Sequence, residues 1–184
     1  MEFTREALIC CMGGGALSLQ GQKQRPWLTL RRSEVQRSRL DGQVRRLRRV
    51  HDGPMEAVWD QLPTQGFYDE VRVRLQGEGL YRVYELLYPR DELTWRRPML
   101  EIAGLRGYAA WLEERGQRRQ GRLSLRGPVQ QGDYQEVVEH LKSLGFEANP
   151  RWVNGVARGV ELDSKSAAAF TELLKPWRRL KCAA

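Results

Sequence analysis

The chain has 184 residues, is 41% hydrophobic, and carries 31 Lys+Arg against 23 Asp+Glu, a formal net charge of +8 with a pI near 9.8. That length suits one domain, or two small halves packed as one, and no apolar run approaches the roughly 18 residues of a membrane span. The basic excess, mostly arginine, points to a polyanionic partner, because the planar guanidinium fork matches phosphates and guanine edges.

Along the chain, Thr4 is placed to cap a first helix that runs to about Met12 through the apolar ALICCM and ends in Gly13, Gly14 and Gly15. A phosphate-cradling loop is the weaker reading of this cluster, because such loops precede a helix and these glycines follow one. Short strands are expected at 16–19 and 27–31. Ser33 and Gln36 form a capping-box pattern for a helix to about Val50, in which Leu40, Val44 and Leu47 keep helical spacing. Residues 55–62 are expected to be helical. Residues 70–75 alternate, with Val71, Val73 and Leu75 on one side and Arg72 and Arg74 on the other. A helix over 80–87 stops before Pro89. Further expectations are a helix at 102–114, a strand at 122–126, and a helix at 134–144 capped by Asp133 with Glu136. Strands at 147–153 and 157–162 and a Ser164-capped helix ending at Pro176 complete the chain.

The chain is also written twice. WLTLRRSEVQ (27–36) resembles RLSLRGPVQ (122–130), YELLYP (84–89) resembles TELLKP (171–176), and the run closing at Gly15 resembles the one closing at Gly116. These matches keep their order while their offset shrinks, as two copies of one unit would if the second had shorter loops. The fold class expected is therefore α/β (α+β), a tandem αββαββα repeat with antiparallel sheets, divided into residues 1–92 and 93–184.

Cys10, Cys11 and Cys182 make an odd count, which suits small core residues in a reducing setting and not a disulfide frame. His51 and His140 stand apart without ligand-spaced neighbours, so no zinc site is expected. The N-terminus, with an acid at position 2, lacks a signal-peptide apolar region. These features lead to the expectation of a cytoplasmic protein, prokaryotic or phage, nucleoid-associated if it binds DNA.

The stretch LYRVYELLYPRDELTWRRPMLEIAGLRGYAAWLEERG resembles the centre of LAGLIDADG homing endonucleases: a helix ending in Tyr-Pro, a basic linker, then a helix closing in a Trp-Tyr-Met-Asp-Asp-Gly-like motif. LICCMGGGALS is similar to their first motif copy, usually Leu-Gly-Asp-Gly-Ser-Leu, and LKSLGFEANPRW with ELDSKSAAAFTELLKPW follows their closing strands and helix. The resemblance runs from about Phe3 to Trp177. It implies two motif helices packed at a pseudo-twofold axis and two four-stranded sheets forming a DNA-binding saddle. Each helix would end in an acid that holds a divalent metal. Aligned on the final glycines, those acids are replaced here by Gly14 and Arg115, and Glu114 stands for the second motif's other acid, one position after Glu113. Arg115, Arg118 and Arg119 are expected to pair with Glu113 and Glu114 as a charged turn.

What the resemblance implies, given these replacements, is a monomer that binds duplex DNA selectively without cutting it and without a cofactor. One alternative is an atypical nuclease using Glu114 with Mg²⁺, and another is an RNA-binding, maturase-like splicing helper. The residues expected on DNA are Thr29, Arg31, Arg72, Arg74, Arg122, Ser124 and Arg126, on strand faces that carry five arginines and no acid, joined by Arg151 and Arg158. Arg45, Arg46, Arg48 and Arg49 are expected to cover a helix surface or touch flanking phosphates, and Trp27 and Trp152 to pack in the core or at an edge.

Overall fold

A computed structural model of the chain describes residues 1–21, 24–62, 69–89, 92–127 and 134–178. The first half contains α1 (Glu2–Met12), β1 (Ala16–Gln20), β2 (Arg25–Ser33), α2 (Arg37–Arg49), β3 (Glu56–Leu62), β4 (Glu70–Gln76) and α3 (Leu80–Leu87). The second contains α4 (Arg97–Arg115), β5 (Gly116–Arg119), β6 (Arg122–Arg126), α5 (Gln135–Ser143), β7 (Ala148–Val153), β8 (Val156–Leu162) and α6 (Ser164–Arg178). The two four-stranded antiparallel sheets, ordered β1-β2-β4-β3 and β5-β6-β8-β7, repeat one topology.

Strand alternation sends Leu17, Leu28, Leu30, Val71, Val73 and Leu75 inward in the first sheet, and Leu123, Leu125, Val160 and Leu162 in the second. Against the first sheet pack Leu40, Val44 and Leu47 of α2 and Leu80, Val83 and Leu87 of α3, so that core is aliphatic. The second is built on aromatics: Trp95, Tyr108, Trp111, Tyr134, Phe146 and Phe170 are buried, with Trp95 edge-on to Trp111 at 4.6 Å. The Trp111 indole N–H donates to the Arg126 carbonyl (2.6 Å), tying α4 to its sheet. Both Cys10 and Cys11 are buried free thiols, and Cys182 lies outside the described residues.

The two halves meet where α1 crosses α4, and small residues set how closely. A Cβ on Gly107 would stand 2.5 Å from Met12 Sδ and 2.7 Å from Ala103 Cβ; one on Gly13 would stand 3.3 Å from Ala110 Cβ. Beside the crossing, buried Glu6 of α1 takes both terminal nitrogens of Arg106 of α4, the Nη2–Oε2 contact being 3.1 Å. Arg46 of α2 approaches the same carboxylate at 3.9 Å. Burying a carboxylate is costly unless cations and hydrogen bonds surround it in this way. Helix α4 bends at Gly104, whose φ of +58° interrupts the helical backbone.

Local signals failed where tertiary pairing overrode them. In the segment 55–62, residues Glu56–Leu62 form strand β3, with Val58, Trp59 and Asp60 opposite Arg74, Val73 and Arg72 of β4, because an edge strand completes the sheet despite the segment's Glu, Ala and Gln. Strand β5 is four residues, GQRR, without apolar alternation to announce it. Thr4 lies inside α1, which begins at Glu2. Ser33 makes no side-chain cap; a 3-10 turn over Glu34–Gln36 comes before α2. Ser164 is the first residue of α6, and Asp163 Oδ1 accepts the Ser166 N–H at 2.7 Å in its place. Asp133 lies outside the described residues, while Glu136 serves a different helix, accepting the Arg97 N–H at the start of α4 (2.7 Å). Trp152 is 65% exposed and not packed at an edge.

The crossing yields a paired prediction. Alanine is the better helix former by about 1 kcal/mol, yet Gly107→Ala should lower stability by about 1–3 kcal/mol, because overpacking outweighs propensity. Gly42→Ala in α2, where the nearest atom is Arg46 Nη1 at 3.8 Å, should raise it by about 0.5–1 kcal/mol. Urea denaturation of both variants checks the two signs.

Candidate nucleic-acid interface

Helix α1 ends in a Schellman arrangement: the Gly14 N–H donates to the Cys11 carbonyl (3.2 Å) and the Gly15 N–H to Cys10 (2.9 Å). Gly14 sits at φ +91°, a conformation that favours glycine, and a Cβ there would meet Glu114 Oε1 at 2.9 Å. Position 14 is thus strained for any side chain by its backbone, and a Cβ there would also have to displace the Glu114 carboxylate. Gly15 is closed too, since a Cβ would lie 2.8 Å from the Cys10 carbonyl oxygen.

Two acids project near this point, and each faces an arginine from the first half. Glu114 lies 3.5 Å from Arg32 Nη2, and Glu113 Oε2 accepts from Arg39 Nη2 at 3.1 Å. Among the described residues these ion pairs stand in place of the expected pairing with the turn arginines. Arg118 turns instead to α6, donating to Thr171 Oγ1 (2.6 Å) and the Ala167 carbonyl. Arg115 forms no ion pair among the described residues.

Arg32 is the residue that strand alternation singles out and composition hides. It follows Leu28 and Leu30 on the inward face, with its side chain 6% exposed. It donates to the Gly13 carbonyl and to the Arg31 carbonyl, each at 2.7 Å, and its Nε is buried without a hydrogen-bond partner. Burial pulls its pKa below the ordinary guanidinium value, and the Glu114 carboxylate opposes that shift. A guanidinium therefore lies at the junction of the two helix ends, bonded to one and facing the acid of the other.

Gly14 offers no ligand, Glu113 and Glu114 face guanidinium groups, and Arg115 adds positive charge. Among the described residues no group of three or more His, Cys, Asp or Glu side chains is arranged to hold an ion.

The outward sheet faces carry the polar residues expected there. In the first sheet, register aligns Thr29, Arg74 and Val58 in one row across β2, β4 and β3, and Arg31, Arg72 and Asp60 in the next. Thr29, Arg72 and Arg74 are half-buried and Arg31 is exposed. Half-buried Trp27 shares this face, with the Arg74 guanidinium 5.8 Å from its ring. In the second sheet Arg122 and Arg126 are exposed, while Ser124 is buried. Arg151 and Arg158 are half-buried on β7 and β8. Helix α2 packs on the inward side, so Arg45, Arg46, Arg48 and Arg49 lie away from these faces.

The faces are not free of acid. Glu70 shares the arginine side of β4 itself, and the neighbouring strands add Asp60 and Glu161. Asp60 Oδ2 accepts from Arg72 Nε (3.0 Å) and lies 3.3 Å from Arg74 Nε. Glu161 accepts from Arg122 (3.1 Å) and from Ser124 Oγ (3.2 Å). The helix expected over 55–62 leaves Asp60 off the sheet, and the strand puts it on this face.

The sequence matches no family model and no curated protein. Among solved structures it is similar to the homing endonuclease I-WcaI bound to its DNA recognition sequence, with a TM-score of 0.64 at 14% identity over 96% of this chain and 82% of that one. It is similar also to mesophilic variants from the homing endonuclease I-DmoI, with a TM-score of 0.58 at 13% identity over 94% of each chain. The two-sheet, six-helix architecture is thus the homing-endonuclease fold that the motif resemblance implied.

Restoring an acid at position 14 should be costly to the fold. Gly14→Asp is expected to destabilise the chain by about 1–3 kcal/mol through its left-handed backbone, with Glu114 displaced as well. Chemical denaturation measures this, and unchanged stability would contradict the geometry.

Proposed function

We propose that this chain binds duplex DNA selectively along its two sheet faces, as a monomer, and leaves that DNA uncut. The observation that carries the proposal is the placement of Arg32 against Glu114 and of Arg39 against Glu113. Hydrolysis of a phosphodiester with divalent metal needs carboxylates free to hold the ion, which generates the nucleophile and neutralises the leaving oxygen. Here two protein cations face the acids at the end of α4, and the end of α1 contributes bare backbone at Gly14.

Binding is supported by three independent features. The net charge of +8 favours a polyanion. The outward strands offer arginine, threonine and serine, side chains that reach base edges and phosphates. The fold is shared with an endonuclease whose structure holds its DNA recognition sequence. Two pseudo-equivalent sheets from one chain suit an extended, asymmetric site without a second copy.

The test takes duplexes selected by the purified protein from a random pool and incubates the bound winners in EDTA, Mg²⁺ or Mn²⁺. The expected result is equal affinity in all three at constant ionic strength and DNA recovered whole. Affinity should fall steeply with salt, by about 0.9 in log–log slope for each phosphate neutralised. Double-strand cleavage of the winners would overturn the second half of the proposal. Preference for a structured RNA over those duplexes at matched salt would overturn the first.

A further inference from the structure

The arginines of the first sheet differ in how they are held. Arg72 and Arg74 point at one carboxylate: Asp60 Oδ2 lies 3.0 Å from Arg72 Nε, 2.9 Å from Arg72 Nη2 and 3.3 Å from Arg74 Nε. Arg74 is also bracketed by the Trp27 ring. Arg31, one strand over in the same row as Arg72, is exposed and forms no ion pair among the described residues.

A carboxylate amid this face works against simple phosphate binding, since it repels the DNA backbone. What it does provide is geometry. Arg72 turns its Nε and one side of Nη2 to Asp60 Oδ2, which leaves the terminal Nη1–Nη2 edge without a second ion pair among the described residues. That remaining edge is the fork that bonds O6 and N7 of a guanine. Asp60 Oδ1 accepts no hydrogen bond among the described residues, and a carboxylate oxygen beside such a fork can accept the amino group of the paired cytosine. Holding a long side chain in one rotamer before binding also removes part of the ordering cost.

We infer that Asp60 is a specificity-determining residue, which fixes Arg72, with Arg74 beside it, to read a G·C base pair in the major groove. The inference rests on the duplex-binding proposal above and adds to it a base and a reader. Arg31, unbuttressed, contacts phosphate. Asp60 thereby lowers affinity for DNA in general while raising discrimination at one position. This separates it from an ordinary cross-strand ion pair, whose loss weakens the sheet and affects all sequences alike.

The experiment measures base preference at every position of the selected duplex, and affinity for an unrelated duplex, for the full chain and for Asp60→Asn, Arg72→Lys and Arg31→Ala. Thermal melting of each variant confirms that it is folded. Arg72→Lys keeps the charge but loses the fork, so preference for one G·C pair should drop roughly 5- to 150-fold, with the salt slope retained. Asp60→Asn should relax preference at that same position and bind the unrelated duplex several-fold tighter than the unmodified chain. Arg31→Ala should weaken all duplexes by one common factor. If Asp60→Asn and Arg72→Lys leave the base profile intact while binding persists, the assignment to Asp60 is overturned and duplex binding stands. If the unmodified chain shows no duplex binding, the underlying proposal and this one fall together.

Discussion

The close approach of α1 and α4 is the constraint on which the rest of the molecule depends. Gly107 admits the Met12 side chain and Gly13 faces Ala110, so the helices cross nearer than larger residues would allow. The same crossing buries Glu6 against Arg106 and leads the two helix ends into β1 and β5, which open the two sheets. Each sheet is thereby fixed relative to the other through one shared core of backbone and small side chains.

That tightness also determines the chemistry at the helix ends. Position 14 adopts a left-handed backbone against Glu114, so the first half delivers no side chain there. Charge is balanced from within the protein. Arg32 and Arg39 face Glu114 and Glu113, and Arg32 also satisfies the Gly13 carbonyl that α1 leaves open. A buried guanidinium is tolerable because carbonyls and a carboxylate surround it. The sheet faces follow the same rule, with Asp60 and Glu161 placed among arginines that would otherwise repel one another.

Much of this architecture was legible because it rests on periodicity. The alternation of Val71, Val73 and Leu75 with Arg72 and Arg74, the helical spacing of Leu40, Val44 and Leu47, and the doubled order of elements each describe a face that must be buried. Strand β3 escaped because an edge strand owes its conformation to its partner β4, which no local window contains. The capping signals misled for a similar reason: Glu136 finds the N–H of Arg97, distant in sequence, before any of its own helix. At the candidate site, Gly14 and Arg115 were found by motif, while Arg32 and Arg39 were not. Arg32 left one visible trace, a charged residue in an inward register after Leu28 and Leu30. Arg39 left none, because its pairing with Glu113 depends on how the two halves dock.

The central claim is that the α1–α4 crossing unites two sheets into one DNA-binding surface. Hydroxyl-radical footprinting of the protein on a selected duplex tests it most directly. The account predicts two protected blocks on either side of an unbroken centre, unequal in sequence, about one helical turn apart, and both weakened together when the crossing is overpacked at Gly107. A single protected block, or one that survives disruption of the crossing, would show that the halves act separately and would contradict the account.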